Sequence, residues 1–352
     1  MTETVNDEMQ RTGHRKELLA APVVLRVGGI STDFLMKDSP PAHAVVDVSF
    51  TVREGEVLGL VGESGCGKTT LALSIIRLLP GNGRIVDGSV LLGEKELLAL
   101  SDKEMSSIRW NEIAIIFQGA MNALNPVRTV GDQIGEAITQ FRKLATKEEI
   151  DNRVDELLEL VGIGAERADQ YPHQYSGGMR QRAMIAMALA CNPQLVIADE
   201  PTTALDVMVQ AQILELLEQL RDMLGLSVIL VTHDLGVVAE MCDTVLVMYG
   251  GVTAEYGDVD TIFNDPRHPY TRELLRAFPD ITQPGEKLSS IPGSPPRLNA
   301  LPPGCRFAPR CPEVMDICHV LQPAQHQLGD GHIASCHLVD PKGIPGQDRD
   351  GK

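Results

Sequence analysis

Short, continuous apolar runs alternate with longer stretches of helical periodicity along most of this chain. EVLGLV (56–61), IAIIF (113–117), QLVIAD (194–199) and LSVILVT (226–232) keep apolar residues together, the pattern of strands buried on both faces of a mostly parallel sheet. An apolar helix is predicted over 68–79, directly after the first run. Near the N-terminus, VVLRV and AVVDVSF read as strands around a proline-rich turn, DSPPAH. Strands alternating with helices predict an α/β fold.

Between residues 119 and 175 the pattern turns helical. In TKEEIDNRVDELLELVG, Thr146 and Glu149 have capping-box spacing. Ile150, Val154, Leu157, Leu158 and Val161 fall on one face of the helix that follows, and Gly162 is its predicted stop. A helical subdomain is therefore expected at about 119–175. Past residue 262 the composition shifts to Pro, His and Cys. The expected division is a disordered tail at 1–21, a core domain at 22–262, a smaller domain at 263–340 and a second disordered tail at 341–352.

Composition narrows the class. At 352 residues, 43% hydrophobic and 22% charged, the chain has the length and balance of a nucleotide-binding or enzyme domain plus a smaller one. Its formal net charge of −17, from 31 Lys and Arg against 48 Asp and Glu, argues against a non-specific nucleic-acid binder, which needs a basic surface to displace counterions. No stretch approaches the roughly eighteen apolar residues of a membrane span; AMIAMALAC (183–191) is about half that. With no apolar leader in the opening residues, a cytoplasmic protein is expected. Its seven cysteines then read as free thiols or metal ligands rather than disulfides.

GESGCGKT (62–69) fits the phosphate-loop pattern G-x-x-x-x-G-K-[ST] between a predicted strand and a predicted helix. Glycines let such a backbone curl so that its N–H groups face phosphate oxygens, and the helix N-terminus adds a favourable dipole. Lys68 would reach the β- and γ-phosphates, and the Thr69 hydroxyl would bind Mg²⁺. Cys66 fills a variable position of the loop. QLVIADE ends an apolar strand in two acids, Asp199 suited to Mg²⁺ and Glu200 to orienting or deprotonating an attacking water. A helix cap or a surface pair uses the same residue types; it is their place after a phosphate loop that favours catalysis. In YSGGMRQR (175–182), Ser176 by itself reads as an N-cap, with Gly177 and Gly178 in the first helical turn.

With these motifs in order, the sequence resembles the ATP-binding subunits of ABC transporters over residues 23 to about 262. Gln118 in IIFQ matches that family's Q-loop glutamine, Ser176–Gly177–Gly178 its signature, Ala204, Leu205 and Asp206 its D-loop, and His233 in ILVTHD its switch histidine. Taken singly, Gln118 is a polar residue after a strand, Asp206 a helix cap and His233 a strand-end residue; the ordered set carries the resemblance. Met179 departs from the glutamine commonest after the signature glycines. The resemblance implies a P-loop ATPase core with an antiparallel β subdomain and a helical subdomain. It implies ATP held by Gly62, Glu63, Ser64, Gly65, Cys66, Gly67, Lys68, Thr69 and Thr70 of one cassette and by Ser176, Gly177, Gly178 and Asp206 of the opposite one. Mg²⁺ would lie near Thr69, Gln118 and Asp199, with Glu200, His233 and Gln118 as the catalytic set and Phe34 stacking on adenine.

HPYTRELLRAFPD (268–280), IPGSPPRL and PPGCRFAPRCP resemble the C-terminal extension of dipeptide/oligopeptide importer ATPases, and FQGAMNALNPV (117–127) is similar to the same branch. The resemblance implies an ATPase at the cytoplasmic face of the membrane that powers peptide import. Its partners would be a second cassette, two permease chains and an extracytoplasmic substrate-binding protein. The alternative is a permease-independent ABC ATPase, such as one assisting iron–sulfur assembly. Cys305, Cys311, Cys318 and Cys336 are spaced C-x5-C-x6-C-x17-C among Pro303, Gly304, Pro309 and Pro312. Four thiolates in so stiff a loop can enclose Zn²⁺ or an iron–sulfur cluster, and unligated thiols stay open as a third reading. The resemblance implies a 4Fe–4S cluster, so a small metal-binding extension is expected.

Overall fold

A computed structural model describes residues 15–119, 123–141, 146–203, 205–277, 290–329 and 331–340. The expected tail at 341–352, most of that at 1–21, and Ala204 lie outside the described residues. In chain order the strands are β1 (Val23–Phe34), β2 (Ala42–Arg53), β3 (Val57–Val61), β4 (Gly83–Leu92), β5 (Lys95–Glu96), β6 (Ile113–Ile116), β7 (Leu195–Asp199), β8 (Ser227–Val231), β9 (Thr244–Tyr249), β10 (Val252–Asp258), β11 (His326–Gly329) and β12 (His332–Ala334). The longer helices are α1 (Lys68–Ile75), α2 (Asp102–Ile108), α3 (Val130–Phe141), α4 (Lys147–Leu160), α5 (Gly177–Ala188), α6 (Val207–Leu224), α7 (Leu235–Met241) and α8 (Pro269–Arg276). The α/β class follows directly.

The described residues form two compact units. The first holds those up to Leu25, Val52–Val57 and Leu92–Val231. Within it β6, β7 and β8 run parallel, with Ile113 opposite Leu195 and Leu195 opposite Ser227. All residues of β7 and β8 are buried, which is why the sequence shows unbroken apolar runs there. Helix α4 opens with the predicted box: Thr146 Oγ1 accepts the Glu149 N–H at 3.2 Å, and the Glu149 carboxylate accepts the Thr146 N–H at 2.7 Å. It stops where predicted. Gly162 takes a φ of 72°, and the N–H groups of Gly162 and Ile163 close onto the carbonyls of Glu159 and Leu158.

The second unit holds Arg26–Thr51, Leu58–Leu91 and the described residues from Thr232 onward. Here β1 lies between β2 and β4. The phosphate-loop strand β3 runs parallel to β9, and β9 and β10 form an antiparallel hairpin. The Pro-, His- and Cys-rich end of the chain extends the same sheet, because β12 pairs antiparallel with β10, Glu255 opposite Ala334, and β11 with β12. Tyr249, Tyr270 and Phe307 pack as a cluster, with ring centroids 4.5, 5.1 and 5.4 Å apart. Helix α1 is shorter than the predicted 68–79. Arg77, at a φ of 53°, turns the chain, and the N–H groups of Arg77 and Leu78 close onto the carbonyls of Ser74 and Leu73, so Leu78 and Leu79 follow the helix rather than continue it. Among the described residues no helix is long and apolar enough to cross a membrane.

Candidate nucleotide-binding and hydrolysis site

In the second unit β3 is buried throughout and delivers the chain into the loop 62–67, after which α1 starts at Lys68. The loop curls as a phosphate cradle must. Gly67 has a φ of 109°, and a Cβ there would stand 2.2 Å from the Ala44 carbonyl oxygen, so the close approach of β2 admits only glycine. Lys68 is 6% exposed and its Nζ donates to the carbonyls of Gly62 (2.7 Å) and Glu63 (3.1 Å). A buried ammonium resting on loop carbonyls, with no carboxylate among its hydrogen-bond partners in the described residues, suits an anionic ligand entering beside it. Ser64 and Gly65 are exposed on the loop, and Thr69 is exposed and Thr70 half-buried in the first turn of α1, whereas Cys66 is buried, and burial pushes its thiol pKa up. That fits Cys66 as filler. His233 is exposed just before Asp234, which caps α7 by accepting the N–H groups of Gly236 and Val237. Phe34 ends β1 with its ring edge against Gly83 at the start of β4.

The first unit brings together the other acids. Ile116 lies opposite Ala198 in the β6–β7 ladder, so Gln118 and Glu200, each two residues further on, leave the sheet side by side. Gln118 Nε2 donates to Glu200 Oε2 at 2.6 Å, and Thr203 Oγ1 donates to the same oxygen at 2.9 Å. Glu200 adopts a φ of 46°, a strained conformation for a non-glycine residue, held by its N–H donating to the Val231 carbonyl at 2.9 Å. Asp199, the last residue of β7, is 1% exposed. Ser176 caps α5, accepting the Met179 N–H at 3.2 Å, and Asp206 caps α6, accepting the Val209 N–H at 3.0 Å. Both cap readings therefore hold alongside any contact with nucleotide. A Cβ on Gly178 would lie 2.8 Å from Val209 Cγ1, so the missing side chain lets the first turn of α5 sit against α6. Ser176, Asp206, Val207 and Met208 remain exposed.

Nothing in the sequence marks Thr203 as a partner of Glu200, because a threonine after an acidic pair has many ordinary uses. Tyr270 and Arg310 also carry no sequence signal of a role, although they lie in HPYTRELLRAFPD and PPGCRFAPRCP; each contacts Glu63 of the phosphate loop.

The expected metal-binding extension is not borne out. Among the described residues no group of three or more His, Cys, Asp or Glu is placed to hold a metal ion. Cys305, Cys311, Cys318 and Cys336 are all free thiols. They share one neighbourhood: the Cys305 N–H donates to the Cys318 carbonyl at 2.8 Å, and Cys305 and Cys318 both raise the pKa of Cys311 and Cys336. The larger cause is burial, which pushes Cys311 up to about 11 and Cys336 up to about 12. Backbone turns thus gather the four residues in one neighbourhood.

Comparison with known proteins places this geometry. The family description "ABC transporter" matches residues 45–203, and "Oligopeptide/dipeptide transporter, C-terminal region" matches residues 254–318. The chain is similar to the dipeptide transport ATP-binding protein DppD of Bacillus subtilis, 51% identical over 303 residues that cover 85% of this chain and 90% of that one. It is also similar to the oligopeptide transport ATP-binding protein OppD of Salmonella typhimurium, 45% identical over 318 residues, covering 90% and 94%. Among solved structures it is similar to the ATP-binding cassette MJ0796, seen as a dimer in a post-hydrolysis state bound to ADP and Pi, with 29% identity and a TM-score of 0.60 over 67% of this chain and 98% of that one. Fold and site thus define an ABC ATPase, a protein that hydrolyses ATP. Within that class the chain belongs to the oligopeptide/dipeptide branch of ABC transporter ATP-binding subunits. A permease-independent ATPase of iron–sulfur assembly finds no support among these relatives.

Proposed function

We propose that this ATPase powers peptide import through a membrane permease, acting as one of two cassettes at the cytoplasmic face. The observation that carries the hydrolytic half is the meeting of Gln118 and Glu200 beyond paired strands, with Glu200 held in a strained backbone. A carboxylate so placed orients and deprotonates water for in-line attack on a γ-phosphate. The phosphate loop binds and orients the triphosphate, and Lys68 transfers its hydrogen bonds from loop carbonyls to phosphate oxygens. Thr69, Gln118 and Asp199 are the residues that would hold Mg²⁺, which would supply neutralisation of phosphate charge. His233 senses the γ-phosphate and Phe34 stacks on adenine. Ser176, Gly177, Gly178 and Asp206 face the ATP of the opposite cassette, a reading supported by the exposure of Ser176 and Asp206 together with Val207 and Met208 at the start of α6. Peptide as the cargo is supported by the relatives' names and by the matching C-terminal region.

Two permeases, a second cassette and an extracytoplasmic binding protein complete the proposed assembly. A tagged Glu200→Gln variant, solubilised from membranes with ATP and Mg²⁺, tests it by the proteins that co-purify. Permeases with a second cassette support import. Recovery from the soluble fraction alone leaves the ATPase and removes the transporter.

The four clustered cysteines stay within this proposal as ligands of an iron–sulfur cluster, with zinc as the alternative. Their shared neighbourhood supports it, and the lack, among the described residues, of three groups placed to hold a metal stands against it. Iron, sulfide and zinc analysis of anaerobically purified protein decides; a chain without any of them is one of free thiols.

A further inference from the structure

Of the five residues between Cys305 and Cys311, RFAPR, the last one reaches the phosphate loop. The Arg310 guanidinium donates to both carboxylate oxygens of Glu63, at 2.6 and 3.0 Å. Its remaining N–H groups reach the Pro292 carbonyl (2.7 Å), the Ile291 carbonyl (3.2 Å) and the Tyr249 hydroxyl (3.2 Å), and its carbon centre stands 5.8 Å from the centroid of the Tyr249 ring. The Arg310 side chain is only 5% exposed. From α8 the buried Tyr270 hydroxyl accepts the Glu63 N–H at 2.9 Å. Arg306 donates to the Gly250 carbonyl, and the next N–H, that of Gly251, donates to the Cys66 carbonyl at 2.8 Å. Phe307 fills the space between, packed on Tyr249 and Tyr270. All these contacts lie within the second unit.

Glu63 is therefore held at every polar group: its carboxylate by Arg310, its N–H by Tyr270, and its carbonyl by Lys68 Nζ at 3.1 Å. A glycine-rich loop is conformationally loose, and ordering it around a triphosphate costs free energy unless something orders it beforehand. A bidentate guanidinium fixed by further bonds to backbone carbonyls supplies direction as well as attraction. Because Lys68 rests on the carbonyl of the same residue, the position of Glu63 also sets where the ammonium starts.

Resting on the ATPase reading, we propose that Arg310 and Tyr270 are positioning residues for ATP, presetting the phosphate loop and Lys68 through Glu63. The C-terminal region thereby becomes part of the nucleotide-binding apparatus without touching the nucleotide.

The test measures ATP·Mg²⁺ binding to the full chain, together with its melting temperature and the KM and kcat of the assembled transporter. Arg310→Ala and Glu63→Gln each weaken ATP binding about three- to tenfold. The double variant is no weaker than the worse single one, because both remove the same bond. Arg310→Lys, which keeps the charge but not the fork, recovers part of the loss. KM rises by a similar factor while kcat changes less than twofold. Should Arg310→Ala not fold, Tyr270→Phe keeps the ring, removes only the acceptor of the Glu63 N–H, and weakens ATP binding about two- to fivefold. Unchanged ATP binding in the folded variants, additive losses, or losses that track only the melting temperature overturn the proposal. Lys68→Ala serves as the non-binding control. A wild-type chain that does not bind ATP overturns the ATPase reading and this proposal with it, whereas wild-type binding that Arg310→Ala leaves intact overturns the positioning role alone.

Discussion

Gln118 reaches Glu200 across 82 positions of sequence because β6 and β7 run parallel in a register that ends both strands together. The contact at 2.6 Å ties the residue that follows one strand to the acid that follows the other. Anything that moves Gln118 therefore reorients the Glu200 carboxylate, with Thr203 as its remaining side-chain partner among these bonds.

Replacing Glu200 by Gln keeps that geometry and removes the base. The expected result is a fall in kcat of about 10²- to 10⁴-fold with ATP affinity changed less than about threefold. Gln118→Ala leaves the base in place and removes its tie, so a smaller fall in kcat, of about tenfold, is expected. Steady-state hydrolysis and equilibrium ATP binding separate the two.

Much of this was legible in the sequence, and for physical reasons. Strands buried on both faces, as at 195–199 and 227–231, announce themselves as unbroken apolar runs. Caps are local, so Thr146 with Glu149, Ser176, Asp206 and the stop at Gly162 follow from neighbours three or four residues away. What escaped prediction depends on register and long-range packing. Nothing near Arg310 in sequence points to Glu63, 247 positions earlier. The end of α1 was overrun because Arg77 takes a left-handed turn that the apolar pattern of its neighbours conceals. The cysteines illustrate the converse: spacing shows which thiols lie near one another, but convergence of their sulfur atoms depends on side-chain directions that spacing does not fix.

Gly67 offers a test of the loop's steric limits. Alanine there meets the Ala44 carbonyl oxygen at 2.2 Å and must hold a φ of 109°. A loss of about 2–4 kcal/mol in unfolding free energy is expected, with loss of ATP binding. At Gly65, where a Cβ meets nothing within 4 Å, alanine carries only the backbone strain and costs about 1–2 kcal/mol. Denaturant unfolding of both variants makes the comparison.

Thr146→Ala should cost about 1 kcal/mol by removing the N-terminal box of α4, with ATP affinity unchanged. Restoring the cap with Ser recovers the stability. A change in ATP affinity here would show that the helical segment carries nucleotide contacts not assigned to it.

His268 makes the second unit sensitive to acid. It is 4% exposed, its Nδ1 accepts the Tyr270 N–H at 2.9 Å, and its backbone N–H donates to Glu255 Oε2 at 3.0 Å. Burial, and then the charge of Arg272, lower its pKa from 6.5 to about 3, while a hydrogen bond with the Ser335 backbone offsets part of that. The sign follows. Below about 6.5 the unfolded chain takes up a proton that the folded chain refuses until about pH 3, so this residue's contribution is intact above 6.5 and is lost as the pH falls through that window. The loss has a limiting slope of about 1.4 kcal/mol per pH unit. His268→Asn retains a side-chain oxygen that can accept the Tyr270 N–H but cannot titrate, so its stability should fall less steeply than wild type between pH 6 and 4. The measurement is urea unfolding of both proteins across that range, since the difference cancels the carboxylates that titrate in each. Equal slopes would mean that His268 takes up its proton in the folded chain. Tyr270 follows His268 by two residues, so a chain that loosens here at low pH should also bind ATP less tightly there.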